Sequence, residues 1–162
     1  MSGKSGFAQK CMRLAVLEAR KNIKQKHGGP FGACVVKGSK ILSISRNTVI
    51  KDNNPTSHAE INAIKSACKK LKTYDLSGCV IYSTTEPCPM CFSAIHWARI
   101  ESIFYGTGIK DVKKLGFHEM PVSNFFLKKI SGSKLKIKKD FMLKNCRQLL
   151  SDWYLAGVGI VY

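Results

Sequence analysis

Acidic residues are scarce in this chain. Ten Asp and Glu stand against 27 Lys and Arg, a formal net charge of +17 over 162 residues. An excess of that sign favours a polyanionic partner such as nucleic acid, because phosphates are held mostly by Lys and Arg. The excess is nearly all lysine, however, 22 Lys to 5 Arg, and the guanidinium fork that specific readout favours is rare. A compositional lysine bias accounts for the balance without any function. Long apolar runs are also missing, so no segment is expected to span a membrane. Residues 1–6 are polar and lead into a charged amphipathic stretch, which gives no expectation of a secretory leader. Paired cysteine spacings of the disulfide kind are absent. The seven cysteines are scattered, as expected of buried thiols in a reducing compartment. No repeat, linker or low-complexity segment interrupts the chain. What remains is one soluble cytoplasmic domain over residues 1–162, long enough to build a core without staples.

The residues that carry chemistry lie between His58 and Cys91. His58-Ala59-Glu60 is expected at the start of one helix and Pro87-Cys88-Pro89-Met90-Cys91 at the start of the next. His58, Cys88 and Cys91 are three good zinc ligands, and a hydrolytic zinc site needs three, with the fourth position open to water. Helix-start N–H groups and the positive end of the helix dipole favour thiolates at Cys88 and Cys91. Glu60 lies two residues after His58, a pair that would diverge inside a regular helix. His58 is therefore placed in the cap or first turn. Water on zinc is acidified to near neutrality, giving a hydroxide nucleophile, and Glu60 is the candidate proton shuttle. A structural zinc module without turnover is the competing class. Such sites usually close with four ligands in two pairs, and no second Cys-x-x-Cys or His-x-x-x-His is present.

Periodicity places these motifs in an α/β fold. Residues 7–26 read as a helix with Phe7, Cys11, Leu14, Ala15, Ala19 and Ile23 on its inner face. Residues 31–37 and 40–47 read as a hairpin around Gly38-Ser39. After a polar loop over 48–57, a helix from His58 carries Ile61, Ile64, Cys68 and Leu71 as one apolar stripe. A strand over 78–83, a helix over 88–98 and a strand over 103–106 follow. Residues 111–115 read as a short helix, 121–130 as a partly apolar segment and 134–138 as a lysine-guarded edge strand. The last helix covers 140–154, and 155–162 is an apolar, Gly-rich tail. A hairpin followed by alternating strands and helices predicts a three-layer α/β/α sandwich with a mixed sheet.

His58-Ala59-Glu60 with Pro87-Cys88-Pro89-Met90-Cys91 resembles the H-x-E…P-C-x-x-C signature of zinc-dependent deaminases. The chain resembles the cytidine-deaminase-like superfamily, and within it the bacterial-type guanine deaminases. The features are Gly29-Pro30-Phe31-Gly32-Ala33, Asn47, Ala94-Ile95-His96-Trp97-Ala98-Arg99, Gly116-Phe117 and a terminal Tyr162. The resemblance implies deamination of a purine, most simply guanine to xanthine and ammonia, with Glu60 catalytic and one zinc ion per subunit on His58, Cys88 and Cys91. It implies that Phe31 stacks on the base, Asn47 hydrogen-bonds its edge, the Ala59 N–H faces the developing oxyanion and Tyr162 closes the site. Glu119 occupies the place of a base-contacting carboxylate, one methylene longer than the family's aspartate. The family's assembly implies a homodimer, with the tail 155–162 able to cross between subunits. The tRNA adenosine deaminases of the same branch supply the alternative, conversion of a wobble adenosine to inosine.

Overall fold

Side-chain alternation along two central strands sorts the helices into two layers. The computed structural model describes residues 2–159 and 161. On β1 (Gly32–Lys37) and β3 (Cys79–Thr85), Ala33, Val35, Cys79 and Ile81 face one way. They pack against Ala59, Ala63 and Ala67 of α3 (Ala59–Leu71) and Phe92 and Ile95 of α4 (Pro89–Trp97). Cys34, Val36, Val80 and Tyr82 face the other way. They meet Cys11, Met12, Ala15 and Ala19 of α1 (Ser2–Gln25) and Cys146 and Leu149 of α7 (Leu143–Leu155). A two-residue period makes both faces apolar, so both must be covered.

The sheet order is β2-β1-β3-β4-β5, with β2 (Lys40–Arg46), β4 (Ser102–Thr107) and β5 (Lys136–Lys138) completing it. β1 runs antiparallel to β2 and β3, whereas β3, β4 and β5 are parallel. This is the expected three-layer sandwich with a mixed sheet. Lys136 and Lys138 are exposed on the edge strand, where charge discourages further pairing. Among the described residues, no helix is long and apolar enough to cross a membrane.

Four local expectations need correction. The residues of α3 that are fully buried are Ala59, Ala63 and Ala67, while Ile61, Ile64, Cys68 and Leu71 are only partly covered. Small side chains let the helix sit close to the sheet, and the larger ones ride its flanks. The polar loop before α3 contains a short helix, α2 (Val49–Asp52), whose Ile50 and Lys51 N–H groups both donate to the His27 carbonyl at 3.0 Å. The segment read only as partly apolar is α6 (Asn124–Ser131), capped by Ser123, which accepts from Phe126 N at 3.2 Å. The short helix expected at 111–115 starts two residues earlier, as α5 (Ile109–Lys113).

Strand direction fixes where the chemistry collects. Ala33 near the start of β1 pairs with Ser83 near the end of β3. At the same end Gly32 pairs with Arg46, the last residue of β2. Phe31, Asn47 and the residues after Thr85 therefore leave the sheet together.

Candidate active site

His58 is the N-cap of α3 and Cys88 the N-cap of α4, with Pro89 at the first helical position and Cys91 in the first turn. Cys88 thus sits one residue outside the turn expected to contain it. Both caps have extended backbone, which turns their side chains toward each other across the helix starts. The Sγ atoms of Cys88 and Cys91 each lie 3.6 Å from His58 Nδ1, and the three donor atoms are within 4.8 Å of one another. A tetrahedral zinc with ordinary Zn–S and Zn–N bond lengths has S···N edges of about 3.6 Å. Two thiols and one imidazole at that spacing fit zinc.

Charge in this cluster is strongly coupled. A hydrogen bond from Cys91, opposed by burial and helped by His58, holds the Cys88 thiol down at about 4. The same bond and burial raise Cys91 well above its ordinary value. Burial works against a charged His58, but Cys88 and the Glu60 carboxylate outweigh it and raise its pKa. Asn124, fully buried, steadies the turn before Cys88. Its Nδ2 donates to Pro87 O at 2.6 Å and its backbone N to Glu86 Oε1 at 2.8 Å.

Glu60 is 6% exposed. Its Oε1 accepts from Ser83 Oγ at 2.8 Å, and its Oε2 lies 3.5 Å from Cys91 Sγ. Ser83 shares the face of β3 that carries Ile81, which is the face α3 covers. Burial raises the Glu60 pKa, with the His58 charge opposing.

One small cavity, about 20 Å³, is lined by His58, Glu60 and Cys88 together with Phe31, Asn47, Thr85, Glu86 and Glu119. Phe31, Asn47 and Glu119, far apart in sequence, thus meet the metal donors. Grooves of about 510 and 500 Å³ elsewhere on the surface lack such a donor set, so the chemistry marks the smaller space. Ala59 is the first residue of α3, where an N–H has no intrahelical acceptor. Tyr162 lies outside the described residues.

The Phe31 ring meets Phe117 edge-on at 4.9 Å, and Phe117 packs against Trp153 at 5.2 Å with the rings tilted by 38°. This approach needs glycine, since a Cβ on Gly29 would lie 2.4 Å from Phe31 Cε2. Likewise a Cβ on Gly28 would lie 2.1 Å from Asn47 Oδ1. That oxygen accepts from Val49 N at 3.1 Å, whereas Asn47 Nδ2 is buried without a partner among the described residues. A buried unpaired donor is costly in a finished structure, and on a cavity wall it is ready for an acceptor. Burial raises the Glu119 pKa, Cys88 adds to the rise and His58 opposes it. His118 is exposed.

Sequence reasoning missed the asparagines that brace these walls. Asn62 Nδ2 reaches Arg46 O at 3.1 Å, Thr48 Oγ1 at 2.9 Å and Ser57 O at 3.3 Å. Asn22, on α1, is fully buried. It continues the inner stripe of Cys11, Ala15 and Ala19, and a polar residue at an apolar position was the available signal.

Residues 6–107 match the family model described as the cytidine and deoxycytidylate deaminase zinc-binding region. A guanine deaminase of Bacillus subtilis is 43% identical over 108 residues, which are 67% of this chain and 69% of that protein. A tRNA-specific adenosine deaminase of Buchnera aphidicola is 40% identical over 129 residues, 77% of this chain and 80% of that protein. The solved structure of a guanine deaminase from Nitrosomonas europaea superimposes with a TM-score of 0.81 at 27% identity, covering 90% of this chain and 83% of that one.

Proposed function

Because this chain belongs to the cytidine and deoxycytidylate deaminase family of zinc-binding proteins, we propose that it is a hydrolase that deaminates a purine, with guanine to xanthine and ammonia as its reaction. His58, Cys88 and Cys91 hold one zinc ion per subunit. When bound, the ion supplies a water acidified to near neutrality beside an amino-bearing ring carbon. Glu60 would take one proton of that water for the ring nitrogen and the second for the amine, which would leave as ammonia as the C–N bond breaks and the carbonyl forms. Ser83 anchors Oε1 of Glu60, which fixes the carboxylate's orientation for both transfers. The Ala59 N–H, at the start of α3, faces the oxygen on which negative charge develops.

The purine reading is carried by one observation: Asn47, with a buried unpaired N–H donor, and Glu119, with a carboxyl acceptor, line the cavity that holds the metal donors. Guanine presents an acceptor O6 and ring N–H donors, which match that pair. Beside its reacting amine, the adenine of a nucleoside presents only acceptor nitrogens. Phe31 supplies the stacking face. The test is ammonia release by zinc-loaded protein given guanine, guanosine, adenine, cytosine and cytidine in parallel with a tRNA bearing a wobble adenosine. Turnover of guanine alone supports the reading, and inosine formed only in the tRNA overturns it.

The tRNA alternative has its own observation. Lys110, Lys114, Lys139 and Arg147 line the groove of about 500 Å³ beside α5 together with Asp111 and Asp140, which pair with Arg147 and Lys139, and that groove shares Glu86 with the cavity. Phosphates of a single strand suit such a lining, and its binding weakens steeply with salt. A homodimer is part of the same proposal, supported by Trp97, Phe126 and Ile130, which are 78%, 54% and 64% exposed. Light scattering at micromolar concentration decides between dimer and monomer.

A further inference from the structure

Asn22 touches neither the metal donors nor the cavity, yet its amide is wholly used. Nδ2 donates to Gly29 O and to Asn47 O, both at 2.8 Å. Oδ1 accepts from Arg46 Nε at 3.1 Å. The guanidinium decides which way the amide faces, because it can only donate and so selects Oδ1. Both N–H groups are then turned toward the two carbonyls. Arg46 is itself held by Glu18, Gln25 and His27. A further bond links the two clamped segments to each other, Asn47 N donating to Phe31 O at 3.0 Å.

Packing alone does not account for this side chain. An apolar residue would fill the same fully buried place between α1 and the loops without the desolvation that an amide suffers. The amide instead joins the Gly28-Gly29 turn, which precedes Phe31, to the backbone of Asn47. We infer that Asn22 is a positioning residue for base recognition: it sets the spacing between the Phe31 ring and Asn47 Nδ2 by clamping the backbone that carries each. The inference rests on the base-facing roles given to Phe31 and Asn47 above.

Asn22→Asp tests it. The shape and the acceptor for Arg46 remain, while both donors are lost. Amide hydrogen exchange of residues 27–31 and 46–49 should quicken by roughly ten-fold, with residues 79–85 of β3 unchanged. KM for guanine should rise roughly ten-fold with a smaller change in kcat and full zinc content. Asn22→Ser, which restores one donor, should fall between wild type and Asn22→Asp, and it stands in for Asp if the latter fails to fold. Combined with Asn47→Ala, Asn22→Asp should add little, because both changes remove one function. Unchanged exchange in the two segments, or losses that multiply in the double variant, overturns the assignment. If wild-type protein turns over no free purine, the substrate reading fails separately, and the exchange comparison alone still decides the role of Asn22.

Discussion

The two walls of the cavity are built by different means. On the metal wall, His58 and Cys88 are helix caps and Cys91 lies one turn into α4, so each ligand is placed by a regular element one to three residues away. On the opposite wall, the one proposed to meet the base and called the base wall below, Phe31, Asn47 and Glu119 come from three irregular segments. Glycines without side-chain bulk, together with the side-chain amides of Asn22 and Asn62, hold the first two. Glu119 depends on the loop after Phe117, whose carbonyl accepts from Glu119 N at 3.0 Å. The metal wall is rigid by local geometry, and the base wall by long-range hydrogen bonds. Family members can therefore share the first wall and differ in the second, which is how one chemistry serves several bases.

That contrast can be broken from the metal side first. Cys91→Ala should leave the purified protein without zinc, abolish ammonia release and lower the melting temperature, because a ligand that binds only the folded state is lost. Elemental analysis beside a thermal melt checks all three. Next, Glu60→Gln keeps the hydrogen bond with Ser83 and the zinc but removes the proton shuttle. Turnover should fall roughly 10²- to 10⁴-fold at unchanged metal content. A variant that keeps wild-type turnover would take Glu60 out of the proton transfer, whereas a wild-type protein without turnover would return the chain to the non-catalytic zinc class.

On the base side the losses should be smaller and appear in recognition. Asn47→Ala removes one hydrogen bond to the substrate, so kcat/KM should drop roughly ten- to a hundred-fold while zinc content stays full. Loss of zinc in this variant would show that the two walls are not separable. The smallest effect belongs to the brace behind Arg46. Burial pushes the Glu18 carboxyl up, but hydrogen bonds from Lys21 and Arg46 pull it below its ordinary value of 4.5. The ionised form therefore stabilises the fold above that value, and the contribution is lost as pH falls below 4.5 and through the lowered folded value. Wild type should exceed Glu18→Gln by about 0.5–1 kcal/mol near neutrality, and the gap should close in acid. Urea melts of both proteins at several pH values read it directly.

The same division decided what could be read from residues alone. His58, Glu60, Cys88 and Cys91 were legible because their spacing is local and their chemistry is rare in combination. The layer order was legible as well, since strands and helices alternate with clear periods. Asn22, Asn62 and Asn124 were not, because an amide's value depends on which carbonyls the fold brings to it. The buried stripe of α3 was misplaced for a related reason. Hydrophobicity points to Ile61, Ile64, Cys68 and Leu71, whereas close approach to a flat sheet selects the smallest side chains, Ala59, Ala63 and Ala67. The helix α2 hides in a polar loop because its start is bonded by the His27 carbonyl, a partner more than twenty residues earlier in the chain.

That alanine row has a mechanical side. α3 is a stiff rod with His58 at one end, and its distance from the sheet is set by methyl groups at 59, 63 and 67. A valine at 63 or 67 would lift the rod and carry the imidazole and the Glu60 carboxylate away from Cys88, Cys91 and Ser83, which belong to other elements. Metal affinity and proton transfer would then shift together through a change in side-chain volume one or two helical turns from any reacting atom.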